Sequence, residues 1–369
     1  MKNLLLAVLL LPVLSATAQP VVSPEVQADG RVTFRILAPQ AREVRVDCES
    51  LKGAPMQREP GTNGLWSFTT PPLEPDIYFY SFNVDGVHLT DPANAFLKYN
   101  LLDNDSLVEV RGPDSLPWQL NDVPHGELHR HFYHSAIAGD DRDYLVYTPP
   151  GYDPTAWKRY PVLYLLHGYS DETTAWTGSG RANVILDNLI ARHQAKPMIV
   201  VMPLGYGTME VVKAGWSRVH DRALWQRNVD KFNDALLGEV MPQVEKTYRI
   251  TKSRAAHAIA GLSMGGTESL VTGLNHPDKF AWVGAFSSGG LNTNYVAQFP
   301  ALNATVNDRV RLLWIACGRD DKLVKDNRQF CAWLDTKGVR HTWVETPGSH
   351  SFRVWRRDLA TFAPLLFRD

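Results

Sequence analysis

Gly261-Leu262-Ser263-Met264-Gly265 is a G-x-S-x-G pentapeptide with a further glycine, Gly266, behind it, and it stands where the apolar run 255–260 gives way to a helical pattern. A serine on a tight strand-to-helix turn has a strained backbone that projects Oγ into the open, and flanking glycines avoid collision with the neighbouring strand and helix. A hydroxyl is a weak nucleophile until a base takes its proton, so the motif demands a carboxylate and then a histidine further along the chain. Both are offered. The apolar run 310–317 leads into Gly318-Arg319-Asp320-Asp321, and the run 342–345 leads into Pro347-Gly348-Ser349-His350. His276 is too near the end of the nucleophile helix to compete with His350, and His341 lies at the start of a strand. Negative charge developing on the attacked carbonyl needs preorganised donors. The backbone N–H of Met264 is one candidate, and the N–H of Tyr169, in the turn His167-Gly168-Tyr169, is the other. The His167 side chain reads as structural. The chemistry would be acyl transfer through a serine, and it requires no cofactor.

Such groups converge only if the elements before them share one edge of a sheet. Val162-Leu163-Tyr164-Leu165-Leu166, Met198 to Met202, the strand ending at Ala260, Trp282 to Phe286, Val310 to Cys317 and Thr342 to Glu345 are apolar without alternation, as strands buried on both faces are. Helical stretches separate them, at Ala182 to Arg192, Trp225 to Tyr248, Met264 to Asn275, Lys322 to Lys337 and from Phe352 onward. Strands alternating with helices imply a largely parallel sheet between helix layers, and catalytic groups of such sheets gather at the carboxyl ends of the strands.

Residues 21–112 follow a different rule. Val32 to Ile36 and Val44 to Cys48 alternate apolar and polar residues, and Asp29-Gly30, Asn63-Gly64 and Asp85-Gly86 mark turns, so a small all-β sandwich is expected. Tyr78, Tyr80 and Phe82 share one face of a strand and read as its core rather than as a sugar-stacking surface. A Pro-rich stretch, 113–125, joins this module to residues 126–369 as a linker or wrapping segment.

The chain has 369 residues with 38 basic against 39 acidic side chains, a net charge of −1, and 44% hydrophobic residues. That composition suits a globular protein of more than one domain and gives no basic surplus for a nucleic-acid partner. Lys2, the apolar run Leu4 to Leu14 and Ala16-Thr17-Ala18 read as a secretory signal over residues 1–18, since the run is about half the roughly 20 residues a membrane span needs. No membrane partner is expected, and the mature protein is expected to be secreted or periplasmic. Three cysteines cannot form a disulfide scaffold; Cys317 and Cys331 could pair or stay reduced, and Cys48 falls on a buried face. His125, His129, His131 and His134 crowd together but have no completing Cys or carboxylate pair, so no metal site is read from them.

From about Gly126 to Asp369 the chain resembles the esterase D-like α/β-hydrolases of carbohydrate esterase family one, which includes feruloyl esterases, acetyl xylan esterases and related mycolyltransferases. The matching segments are Tyr147 to Tyr152, Leu165-Leu166-His167-Gly168, Ala258 to Gly266, Ala316 to Asp321 and the His350 loop. The resemblance implies an α/β-hydrolase fold and selects Asp321, the third residue after Gly318, over Asp320 as the acid. The preceding sandwich looks like an immunoglobulin-like early-set, glycogen-binding-like module. The chain departs from the family around the histidine, where Gly348-Ser349-His350-Ser351-Phe352 replaces the usual Gly-Gly-His-x-Trp. The resemblance also implies a serine esterase that removes feruloyl or acetyl groups from a plant polysaccharide or oligosaccharide such as xylan. Gly205 to Trp216 occupies the region of the acid-receiving loop, and Tyr206, Trp216 and Trp176 are the candidate substrate contacts. An acyltransferase, an esterase for another compound such as a siderophore, or a glycan-binding protein with an inactive hydrolase domain are the alternatives.

Overall fold

A computed structural model of the chain describes residues 20–368 apart from residues 50, 114, 219 and 220. The leader read in residues 1–18 therefore lies outside the described residues.

Eight strands form one large sheet: β1 (Glu127–Ser135), β2 (Asp140–Thr148), β3 (Val162–Leu166), β4 (Ile199–Pro203), β5 (His257–Leu262), β6 (Trp282–Phe286), β7 (Leu312–Gly318) and β8 (Thr342–Thr346). Their order across the sheet is β1-β2-β4-β3-β5-β6-β7-β8. The contacts of β2 with β1 and β4 are antiparallel, and from β4 to β8 every pairing is parallel. Every residue of β3, β4, β5 and β6 is buried, which explains the unbroken apolar runs: helices cover both faces. Val162, Tyr164 and Leu166 face the core beneath Val229, Phe232 and Leu236. Leu163 and Leu165 face the opposite core, with Ile185, Leu189, Leu359 and Phe362.

The β1–β2 hairpin is absent from the apolar-run reading because β1, with three histidines and an arginine, is an edge strand whose side chains are mostly exposed or half-buried. The expected helix over 225–248 starts earlier, at Arg222, where the Asp221 carboxylate accepts the Leu224 N–H at 3.1 Å. It is also not continuous. Arg222–Ala235 passes through a wider π-helical turn, Leu236–Val240, into Met241–Thr247. Pro242 has no N–H to give the preceding turn, and the widened turn accommodates it.

The N-terminal part forms two sheets, one of four strands built on Val32–Leu37 and Leu65–Thr69 and one of six built on Val44–Cys48, Asp76–Val84 and Asp105–Val110. Tyr78, Tyr80, Phe82 and Cys48 lie between the sheets with Val32, Phe34 and Val46. The alternate residues of the same strand face the large sheet's side of the molecule: Phe79 packs edge-on against Phe352, and the Ile77 carbonyl accepts from the Arg356 guanidinium at 2.7 Å. Asp76 is the centre of this contact. Its carboxylate meets Arg356 at 2.6 Å, Arg357 at 2.7 Å and Arg353 at 3.4 Å, and Asp76 and Arg356 are wholly buried.

Residues 115–125 wrap the hydrolase part rather than spanning open space. Trp118 is buried, and Asn188, on the helix Ala182–Ala191, donates to the carbonyls of Pro117 and Gln119 at 2.7 and 2.8 Å.

Candidate active site

Ser263 sits between β5 and the helix Met264–Asn275 with φ +51° and ψ −114°, a left-handed backbone that a residue with a Cβ rarely adopts. The surroundings fix it there. Its N–H donates to the Phe286 carbonyl at 2.8 Å and its own carbonyl accepts the Gly289 N–H at 2.9 Å. A side chain at Gly265 would put its Cβ 2.5 Å from the His167 carbonyl oxygen, so the turn closes only with glycine there. The same approach lets the Gly265 N–H donate to that oxygen at 3.1 Å. The Met264 amide is the first of the helix, among the N–H groups an α-helix leaves without an internal acceptor.

The turn after β3 runs beside the serine, close enough that a Cβ on Gly168 would lie 3.3 Å from the Ser263 Cβ. His167 supports this turn from beneath. Its ring is buried, with Nδ1 2.8 Å from the Gly168 carbonyl and Nε2 2.8 Å from the Gly205 amide. A carbonyl can only accept and an N–H can only donate, so the ring is neutral with its proton on Nδ1. Burial holds its pKa below the ordinary histidine value, in keeping with that state. Tyr169 follows, its hydroxyl donating to the Val211 and Gly215 carbonyls at 2.9 and 3.0 Å.

Asp321 lies just past the end of β7, buried, with Oδ2 2.7 Å from His350 Nδ1 and Oδ1 accepting the Leu323 N–H at 2.9 Å. Burial works to raise its pKa. The hydrogen bond and charge of His350, with the Leu323 amide and Ser287 hydroxyl, outweigh it and hold the carboxyl below the ordinary range. A carboxylate accepts at Nδ1–H, which leaves Nε2 of His350 free to accept from Ser263 Oγ at 3.0 Å. The run Ser263–His350–Asp321 is thus continuous. Asp320 is exposed, and its backbone N–H donates to the Gly348 carbonyl at 2.9 Å. His341 contacts the Val339 carbonyl instead, and His276 ends the helix Met264–Asn275. Trp355, one turn into the helix Phe352–Phe362, sets its ring edge-on to His350 with centroids 4.8 Å apart. Phe352, which stands where the resembled family carries tryptophan, is buried against Trp176 and Trp355.

Two of the three expected substrate contacts are corrected. Tyr206 is wholly buried, its hydroxyl donating to the Asp171 carbonyl at 3.0 Å, and Trp176 is buried with Nε1 donating to the Leu166 carbonyl at 2.9 Å. Both pack the scaffold behind the serine. Trp216 is 54% exposed and stands edge-on to Tyr169 at 4.9 Å, on the rim of the cluster that contains Tyr169 and Met264.

The sequence profile of the Esterase family matches residues 135–366. The chain belongs to this family. Its relatives include an endo-1,4-beta-xylanase/feruloyl esterase of Xylanibacter ruminicola, 30% identical over a 355-residue alignment that covers 94% of this chain and 46% of the relative. The chain spans about half the length of the curated relatives it matches first. Among solved structures, a CE1 ferulic acid esterase from the anaerobic fungus Anaeromyces mucronatus is 25% identical, with a TM-score of 0.59, covering 69% of this chain and 96% of that one. The enterobactin esterase of Shigella flexneri, at 20% identity and a TM-score of 0.70, covers 94% of this chain and 97% of its own, so the fold likeness extends across the β module as well. The large sheet is an α/β-hydrolase fold.

The four crowded histidines, His125 just before the edge hairpin and three on β1, each have their own partner: His125 with Asp187 at 2.9 Å, His131 with the Tyr248 hydroxyl at 2.6 Å, His134 with Asp141 at 2.8 Å and His129 with Thr148 at 3.4 Å. Cys317 and Cys331 are buried thiols with no bond between them, and burial pushes both up to about 12. Motif reading missed the polar supports. Asn228 accepts the Gly207 N–H at 3.0 Å and donates to the buried Glu268 at 3.3 Å, behind Met264. Burial raises the Glu268 carboxyl well above its ordinary value, against the lowering effect of its Asn228 hydrogen bond. A Glu on an otherwise small and apolar helix was the available signal.

Proposed function

We propose that the protein is an exported serine esterase that removes feruloyl or acetyl groups from plant cell-wall polysaccharide or its oligosaccharides. The observation that carries the reading is the continuous run from Ser263 Oγ to His350 at 3.0 Å and from His350 to Asp321 at 2.7 Å. In this reading His350 Nε2 takes the Ser263 proton as Oγ attacks the ester carbonyl, and Asp321 holds the imidazole in the required tautomer and stabilises it once charged. The Met264 and Tyr169 amides receive the oxyanion. His350 then returns the proton to the departing sugar oxygen, and water releases the acyl group by the same route. The choice of ester is supported by the Xylanibacter relative and the Anaeromyces structure, and by Trp216 exposed beside Tyr169, where an aromatic acid would meet it. The export reading is supported by the apolar N-terminal run. Methyl ferulate, acetylated xylan, nitrophenyl acetate and a catecholate siderophore ester, each given to wild type and Ser263→Ala, test it. Wild type is expected to cleave ferulate or acetate esters, with Ser263→Ala lower by about 10⁴-fold or more. Cleavage of the siderophore ester alone would move the assignment to that class, and activity retained by Ser263→Ala would overturn the mechanism.

A further inference from the structure

We propose that the β module contributes to the esterase site itself, with Asn100 as the positioning residue that holds the turn bearing the Tyr169 amide. This rests on the serine-esterase reading above. Ser170, directly after Tyr169, has φ +68°, a left-handed conformation that needs outside support in a residue other than glycine. That support comes from the module. The Leu101 N–H donates to the Ser170 carbonyl at 2.7 Å. Asn100 Nδ2 donates to the Ser170 hydroxyl at 2.9 Å and to Asp171 Oδ1 at 3.1 Å, and the Lys98 ammonium lies 3.7 Å from the same carboxylate oxygen. The Asn100 side chain is itself held, because its Oδ1 accepts the N–H groups of Leu102 and Asp103 at 3.0 and 3.1 Å.

The same segment meets the site a second time. Leu102 packs on the cluster of Tyr169 and Met264, the two candidate oxyanion donors, and the Trp216 indole N–H reaches Asp103 at 3.4 Å. Tyr169 is therefore gripped from two sides, at its ring by the Val211 and Gly215 carbonyls and at the following peptide by the module. Docking of the module does not depend on Asn100, since the buried contact of Asp76 with Arg356 lies on other elements. A turn that relaxes by a fraction of an ångström aims its amide away from the oxyanion while the fold stands, and misplacement on that scale costs rate rather than affinity.

Asn100→Asp isolates the contact: it keeps the acceptor for the Leu102 and Asp103 amides, removes the donor and sets a carboxylate against Asp171. Nitrophenyl acetate is the substrate, because an acetyl group is too small for lost substrate contacts to explain a change. The expected result is a fall in kcat of about tenfold or more with KM within about twofold of wild type. Asn100→Ala, which adds no charge, gives the same fall. Asn100→Asp combined with Asp171→Asn reverses the polarity of the pair and recovers most of kcat. A kcat for Asn100→Asp and Asn100→Ala within about twofold of wild type, a change confined to KM, or a loss that the paired variant fails to recover would each overturn the proposal. If wild type cleaves no ester, the esterase reading falls and takes this one with it; an active wild type with an indifferent Asn100 defeats only this one.

Discussion

The carboxyl edge of the large sheet and the facing edge of the β module meet the same site in opposite ways. On the sheet, Ser263 directly follows β5, while Asp321 and His350 come from the turns after β7 and β8, so parallel topology delivers all three to one edge within a few residues of a strand end. In the proposed mechanism the module delivers no reacting group. Its segment Lys98–Asp103 touches the turn that carries Tyr169, and its strand Asp76–Val84 touches the helix that follows His350. In the proposed mechanism, topology places the reacting groups and contacts between distant parts of the chain hold them still.

Substitutions that disable one side at a time separate the two contributions. Asp321→Asn should have the largest effect, a fall in kcat of about 10³- to 10⁴-fold as His350 loses its preferred tautomer, read with nitrophenyl acetate; a loss below about tenfold would remove Asp321 from the machinery. The same residue carries a pH signature. Its carboxyl is held below the ordinary range when folded, so its contact stabilises the protein above the unfolded pKa of about 3.9 and is lost as pH falls through the lower folded value. Denaturation midpoints of wild type and Asp321→Asn should differ at neutral pH and converge in strong acid.

On the module side, Asp76→Ala strands the wholly buried Arg356 without its carboxylate. A loss of about 3–5 kcal/mol is expected in urea unfolding, as for other buried pairs broken on one side; a change under about 1 kcal/mol would mean that the contact is incidental. The smallest effect belongs to the rim. Trp216→Ala should raise KM for methyl ferulate by about two- to tenfold, the worth of one aromatic contact, and leave nitrophenyl acetate unchanged.

The same contrast explains what was legible in the sequence. Gly261 to Gly265, the Asp320-Asp321 pair and His350 announce themselves because each sits at a local boundary between an apolar strand and a turn, and strand order does the rest. The hairpin of β1 and β2 was hidden by an exposed edge strand with no apolar run. Tyr206, in a loop, and Trp176, in the short helix Ala175–Gly178, misled because an aromatic residue has the same letters whether it lines a cleft or fills a core; only their buried hydroxyl and indole partners tell them apart. Asn100 gave no signal at all. Its partner Ser170 is 70 positions away, and no periodicity links a module turn to a hydrolase turn.

In the proposed mechanism Ser263 is a nucleophile activated through His350. Treatment with a fluorophosphonate, followed by peptide mass mapping, tests it directly. The account predicts one adduct, on the peptide containing Ser263, with labelling slowed by at least about a hundredfold in His350→Ala. An adduct on another residue, no adduct, or labelling of Ser263 at the same rate without His350 would contradict it.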